Sequence, residues 1–440
     1  MIVERVAELC VTKNTKDRIN FANSNLWWIN QVTLLVALAI FPITMLPPVE
    51  VIPQLLLMES PFFGKLTLVR FILLLLLVII FVSVFGSGLF PRLRTVDVLV
   101  MVLFLIASVH ATSHAISRWA YYVLIVISSY IIGRVMSLFG GAKFLSKLEA
   151  SIRLAGLVEA ALVIYTFISG PFIEPVQGSF LIYPAAFGEG VTRSPGTIGH
   201  PVVAAAVLLP ALFAWLEYAL CQTAGRKKYI AWLCFSVMVL GILLTFSRGA
   251  WLAFLVTLLL FLLVRGYIVR LRFIPILALL LLCFYMTPIG TYVQMRLSMT
   301  SINDGSISHR LLMYGWVTER WLETPFSFLI GNGVGYSREE LLNSPPPDGL
   351  LVVDNIWLTM LMEVGLVGTA IILIVQVLSS LKNLLRGLTW NQWVALSILS
   401  LSIDGLTFET FFWEQVGVLI WLLTGVLSTM NTVAKSNKKC

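Results

Sequence analysis

Arg193, Arg248, Arg296 and Arg310 fall on the face where the charge bias of a membrane protein disfavours arginine, so each needs its own explanation. A planar guanidinium makes paired hydrogen bonds to phosphate oxygens, so an arginine fixed at a membrane boundary suits an anionic headgroup. Arg248 is the most informative of the four. It lies in LTFSRGAW, Leu244 to Trp251, where two apolar runs meet with almost no loop between them. A snorkelling side chain that anchors a helix end fits the same residue, and Arg248 alone does not choose between the two readings. Arg193 stands beside Ser194, Pro195, Gly196 and Thr197, a stretch able to turn tightly and offer backbone N–H groups to a second anion. Arg310 follows His309 at the head of an amphipathic segment, where an ordinary surface arginine is the simpler reading.

Asp354 is the carboxylate best placed for acid–base work. With Asn355 it precedes an apolar run in VVDNIWLTMLMEVGLVG, Val352 to Gly368. An Asp there satisfies free N–H groups as a helix N-cap. It also suits a general base that takes a proton from a sugar hydroxyl beside bound phosphates. Glu363 is nine residues further on, which in a helix is ~13 Å deeper and about half a turn around, so it does not share a site with Asp354. Glu363 and Glu159 are expected to be partnered carboxylates between helices. The four histidines form no zinc motif, and His110 and His114 lack an accompanying carboxylate. With no Asp-x-Asp pair and no Walker-type loop, the reading is of no metal, no cofactor and no direct use of ATP.

The element pattern that must hold these residues is set by solvent. Of the 440 residues 59% are hydrophobic and 12% charged, with a mean hydropathy of +0.93, which excludes an ordinary soluble globular chain. Apolar runs recur near 26–46, 66–86, 96–113, 117–139, 150–170, 198–220, 229–247, 248–265, 271–288, 353–378, 391–408 and 410–430. The expectation is therefore an all-α, polytopic protein of about twelve spans, one membrane domain over 1–440. A net charge of +8 does not point to nucleic acid, because the cations sit in short connections beside the runs. Lys13, Lys16 and Arg18 precede the first run. Arg92 and Arg94, then Arg134, Lys143, Lys147 and Arg153, then Arg226 to Lys228, Arg265, Lys382, Arg386 and Lys435 follow the even-numbered ones. The bias assigns both termini to the cytoplasm and the odd-numbered exits, with Glu174, Glu189, Asp404, Glu409 and Glu414, to the other face. The first run follows a polar leader without a cleavage site, so it is expected to stay as an anchor. Trp27, Trp28, Trp390 and Trp393 suit interfacial belts, and the five cysteines form neither a disulfide framework nor a zinc site.

Between the ninth and tenth runs, residues 288–353 break the apolar pattern and form a long outer loop, a segment of the kind that carries function. Ile307 to Glu323 has helical character, with Leu311, Tyr314, Val317 and Trp321 on one side, suited to lying on the membrane surface.

Taken in order, these pieces resemble the O-antigen ligase and polymerase superfamily of bacterial envelope glycan enzymes, Wzy-type polymerases included. RSPGTIGHP resembles the family's outer turn, LTFSRGAW its run ending in Ser-Arg-Gly, and HRLLMYGW with Pro325, Gly331, Gly333 and Gly335 its arginine helix and glycine-rich turn. DNIWLTMLMEVGLVG resembles the closing helix, and the likeness covers about residues 190–370. The resemblance implies a membrane-embedded, GT-C-like, inverting and metal-independent glycosyltransferase. It would act on undecaprenyl-diphosphate-linked oligosaccharides at the periplasmic face of the inner membrane, beside a chain-length regulator and a flippase. It makes Arg193, Arg248 and Arg310 diphosphate ligands, Asp354 the base with Arg248 as its catalytic cation, and His309, Tyr314 and Asn355 substrate contacts. Ligases of the superfamily usually carry a His where this chain has Asp354, which favours a polysaccharide polymerase. Transfer of a finished glycan to lipid A core or to protein is the alternative. A lipid-linked glycan flippase is the non-enzyme alternative, against which stand the lack of matching halves and the late position of the loop.

Overall fold

A computed structural model of the chain describes residues 31–40, 43, 67–87, 93–109, 119–120, 122–170, 193–223, 225–264, 290–291, 294, 305–386 and 391–430. The apolar run at 271–288, Arg296, His110, His114, Glu174, Glu189 and the tryptophans 27, 28 and 390 lie outside those residues.

Hydrocarbon leaves backbone groups no partner but one another, so apolar runs of this length become helices. The described residues contain no strand. In chain order they form α1 (Gln31–Ile40), α2 (Leu68–Ser87), α3 (Thr95–Val109), α4 (Val123–Ser169), α5 (Pro201–Cys221), α6 (Arg226–Leu244) and α7 (Arg248–Val264). Three helices of the polar segment before α11 follow: α8 (Gly305–Trp321), α9 (Pro325–Ile330) and α10 (Tyr336–Asn343). The chain then returns as α11 (Ile356–Leu385), α12 (Gln392–Asp404) and α13 (Glu414–Leu427). Four of these, α4, α5, α6 and α11, are long and apolar enough to cross a membrane, and six shorter apolar helices accompany them.

Helix α4 has 47 residues. As one straight rod it would measure ~70 Å, more than twice the ~30 Å of hydrocarbon in a bilayer. It breaks at Gly141, at φ 52° and ψ −137°. Before the break it lies against α13, where a Cβ on Gly133 would stand 2.0 Å from Leu422 O and one on Gly425 2.2 Å from Tyr130 O. After the break it lies against α5, where a Cβ on Gly156 would stand 2.1 Å from Ala211 Cβ. Small residues let these backbones approach closely where no water is available to drive association.

The helix ends fall into two groups. At one, Arg94 donates to Ser428 O at 2.6 Å, Arg134 pairs with Asp97 at 2.7 Å, and Glu217 accepts the amides of Asn391 and Trp393 that open α12. Trp393 is completely buried there, in the core where a membrane-surface belt was expected. At the other, Ser194 N donates to Leu244 O at 3.2 Å and Ile356 N to Gly405 O at 2.9 Å. Arg193, Arg248, Arg310 and Asp354 belong to this second group.

The segment carrying α8 to α10 docks on α11 through a break in that helix. Gly365, at φ 67° and ψ −171°, interrupts α11 and leaves the carbonyls of Met362 and Glu363 without intrahelical donors. Asn332 N and Gly333 N supply them, at 2.8 and 2.9 Å. Contact here is backbone on backbone: a Cβ on Gly331 would stand 2.4 Å from Glu363 C, and one on Gly365 2.5 Å from Gly331 N. Ser337 of α10 donates to Glu363 of α11, so that buried carboxylate is partnered between two helices, one of them in the intervening segment. Upstream, Thr324 and Ser327 close a reciprocal capping box over α9, with Pro325 in its first turn. The buried side of α8 is Met313, Trp316 and Val317, packed with Leu341, Val353, Leu358 and Met362. Leu311 and Tyr314, expected on that same side, are 56% and 49% exposed.

Gly365→Ala is expected to cost roughly 2–4 kcal/mol, from the left-handed φ together with overpacking against the loop backbone. A thermal unfolding midpoint in detergent equal to that of the native protein would show that the break is not needed.

Candidate active site

Four stretches of chain converge at the second group of helix ends. The first is the turn that follows Arg193. Ser194 Oγ donates to Val163 O at 2.6 Å, and Glu159 of α4 accepts Thr197 N at 3.0 Å and the Thr197 hydroxyl. Gly196, at φ 58°, sits so close that a Cβ would stand 2.1 Å from Glu159 Oε1. The turn's amide thus meets the protein's own carboxylate where an external anion was expected. Glu159 is indeed partnered, but by this turn. Arg193 itself donates through Nε to Thr245 O at 3.1 Å.

The second stretch carries Arg248. Thr245 Oγ1 bonds Ile242 O at 2.7 Å, Phe246 takes the left-handed conformation at φ 51°, and α7 begins at once with Arg248. Gly249 then faces the segment between α12 and α13: a Cβ there would stand 1.8 Å from Thr407 Oγ1 and 3.0 Å from Asp404 Oδ1.

The third stretch is the head of α8. Arg310 Nη2 donates to Thr407 O at 3.0 Å and lies 3.8 Å from Asp354 Oδ2, while its buried Nε meets no partner among the described residues. His309 is 2% exposed, with Nδ1 2.6 Å from Asp348 Oδ2 and Nε2 2.9 Å from Val352 O. A carbonyl oxygen only accepts, so Nε2 is the donor to Val352 O, and Nδ1 faces the Asp348 carboxylate. Burial raises the Asp348 carboxyl, but the hydrogen bond from His309 and the Leu350 amide outweigh that effect and hold it below the ordinary aspartate value. His309 therefore straps the loop segment 348–352 behind the site. Tyr314 lies on the open side, with its hydroxyl 3.5 Å from Asn355 Nδ2.

The fourth stretch opens α11. Asn355, not Asp354, is the N-cap: its side chain accepts Trp357 N at 3.0 Å and Leu358 N at 3.3 Å, a contribution of about 1 kcal/mol. Asp354 stands one residue earlier in the left-handed conformation, φ 54°, with its side chain 35% exposed. A non-glycine residue held there carries strain that its surroundings must impose. Burial beneath the loop lifts its carboxyl above the ordinary aspartate value, against the opposing pull of the Arg310, His309 and Arg193 cations.

Two carboxylates of this region were not singled out as site residues from the sequence. Asp404 is completely buried at the end of α12, and neither oxygen meets a partner among the described residues. Glu409 is half-buried and accepts the Thr359 hydroxyl at 3.1 Å. An acidic residue ending an apolar run was the available signal, and it served only to assign a membrane face. Among the described residues no three His, Cys, Asp or Glu side chains gather as metal ligands. The arrangement can grip an anion between guanidinium groups and offer a carboxylate of raised basicity beside it.

Residues 233–373, from α6 through the first part of α11, match the family model described as O-antigen ligase. This O-antigen ligase domain supports the O-antigen ligase and polymerase superfamily for the chain. The matched domain includes Arg248, Arg310 and Asp354, whereas Arg193, Asp404 and Glu409 lie outside it and reach the O-antigen ligase domain only through the fold. No curated protein matches the chain.

Proposed function

We propose that this protein is a polysaccharide polymerase that joins undecaprenyl-diphosphate-linked repeat units by inverting, metal-independent glycosyl transfer at the periplasmic face of the inner membrane. The observation that carries this reading is the half-exposed Asp354 held 3.8 Å from Arg310 and within the field of Arg193. The acceptor hydroxyl oxygen bonds to the anomeric carbon, the bond from that carbon to the lipid diphosphate breaks, and the hydroxyl proton passes to Asp354. Negative charge collects on the departing diphosphate as the bond breaks. Fixed guanidinium groups of Arg193, Arg248 and Arg310 stabilise it without reorganising at that moment. Tyr314, on the open side of Asp354, contacts the incoming sugar, while the buried Asn355, which caps α11, and His309 hold the wall behind it.

Asp354 stands where ligases of the superfamily usually carry a His, which supports chain growth over transfer to lipid A core or to protein. Purified protein in nanodiscs, given lipid-linked repeats, is expected to produce a ladder of lengths on a gel. One added unit and no more, or transfer only when a lipid A core or protein acceptor is supplied, would sink the polymerase reading.

A further inference from the structure

The segment joining α12 to α13 takes no part in the chemistry above, yet it touches every stretch of the site. Gly405 O accepts Ile356 N at 2.9 Å, Thr407 O accepts Arg310 at 3.0 Å, and Glu409 accepts Thr359 of α11 at 3.1 Å. Gly249, beside Arg248, packs on Thr407. The same segment carries two rings, Phe408 and Trp413, that associate with His200 at the head of α5. His200 and Trp413 have centroids 4.9 Å apart, His200 and Phe408 6.2 Å, and Phe408 and Trp413 6.0 Å, with interplanar angles of 35°, 18° and 27°. Three rings from two elements thus form one cluster, two of its pairs stacked and the closest pair tilted. Phe408 is buried beneath, while His200, Trp413 and Glu409 remain half-exposed. The Arg193 cation acts on both His200 and Asp354, so the rings lie beside the guanidinium groups.

A pyranose attached to a lipid diphosphate presents, in order, an anionic linkage, an apolar C–H face and a rim of hydroxyl donors. This surface presents the same three complements: guanidinium groups, a cluster of aromatic rings inclined by 18° to 35° to one another, and a carboxylate. Ring faces carry partial negative charge and attract the weakly positive C–H face, and an ionised carboxylate only accepts hydrogen bonds, which suits sugar hydroxyls. We propose that the segment from Thr407 to Trp413 is the sugar subsite of this centre: the pyranose next to the diphosphate lies against His200 and Trp413 and gives its hydroxyls to Glu409. The proposal rests on the glycosyl-transfer reading and adds to it the surface that recognises the donor sugar.

The test measures equilibrium binding to the full-length protein in nanodiscs. The probes are undecaprenyl diphosphate alone and the same lipid bearing one glucose, galactose, mannose, N-acetylglucosamine or N-acetylgalactosamine. At least one glycosylated lipid is expected to bind about tenfold more tightly than the bare carrier. Glu409→Gln and Trp413→Ala should each remove that gain while leaving bare-carrier binding within about twofold, and Trp413→Phe should keep part of it. If Trp413→Ala does not insert, the isosteric Glu409→Gln variant carries the comparison alone. The proposal is overturned by no gain for any sugar, by a gain that survives Glu409→Gln, or by equal weakening of bare and glycosylated lipid, the sign of a merely structural tie. No turnover is needed for this readout. A missing polymer ladder therefore counts against the polymerase and leaves the subsite standing, whereas absence of a sugar-dependent gain does the reverse.

Discussion

Asp354→Asn is expected to lower turnover by about 10²- to 10⁴-fold, the usual worth of a positioned general base, with the thermal midpoint unchanged or raised. Both halves follow from the position of the side chain. The amide keeps the shape and can still meet Arg310, but it takes no proton. The N-cap of α11 survives, because Asn355 makes it. The effect on stability has a definite sign. The folded protein holds the Asp354 carboxyl above its ordinary value, so the contribution of this group is fully present below the unfolded pKa and lost as pH rises through the folded one. Wherever the side chain is ionised it is a cost to folding, and Asn removes that cost. Turnover of the native protein, which needs the carboxylate, should fall as pH drops through the raised value. Near-normal rates for the variant, or a loss of stability that matches the loss of rate, would reduce Asp354 to a structural residue.

Arg310→Ala is expected to lower turnover by about 10²- to 10³-fold, the typical effect of removing one preorganised donor to developing negative charge. A second signature separates this role from a structural one. The Arg310 cation favours the ionised form of Asp354, so its removal raises that carboxyl further and moves the acid limb of the rate profile to higher pH. Arg310→Lys keeps the charge and should leave the limb near its native position, although a single ammonium cannot replace the planar fork. Loss of the bond to Thr407 O alone would weaken the tie between α8 and the segment after α12 without moving the limb. A rate close to native with an unmoved acid limb would leave Arg310 as no more than that tie.

The helical class was legible because it depends on residue type and run length, and Arg193, Arg310 and Asp354, singled out by type and by the runs beside them, lie in one region of the fold. What escaped the sequence depends on register and on backbone geometry. Asp354 and Asn355 are both good caps, and only the left-handed φ of Asp354 assigns that duty to its neighbour. Glu-x-Gly at Glu363 to Gly365 looks like an ordinary helical stretch until the break at Gly365 is seen to receive the loop's amides. The exposed side of α8 was misjudged because its helical period is clear while its docking partner, the first part of α11, comes from forty residues later in the chain. Trp393 suited a membrane surface by type and is instead buried at the head of α12, where Glu217 accepts its amide. The roles of Glu409 and Trp413 were hidden for the same reason: their neighbours, Thr359 and His200, are distant in sequence.

The break in α11 bears on the order in which the protein is made. Ribosomes deliver the Asn332 and Gly333 amides some thirty residues ahead of the carbonyls they will bond, so their donors already exist when Met362 and Glu363 emerge. A chain made in the opposite order would leave two bare carbonyls in the bilayer during biogenesis, each a site for misassociation. Moving the loop to the far terminus by circular permutation would impose that hazard on an otherwise identical set of contacts.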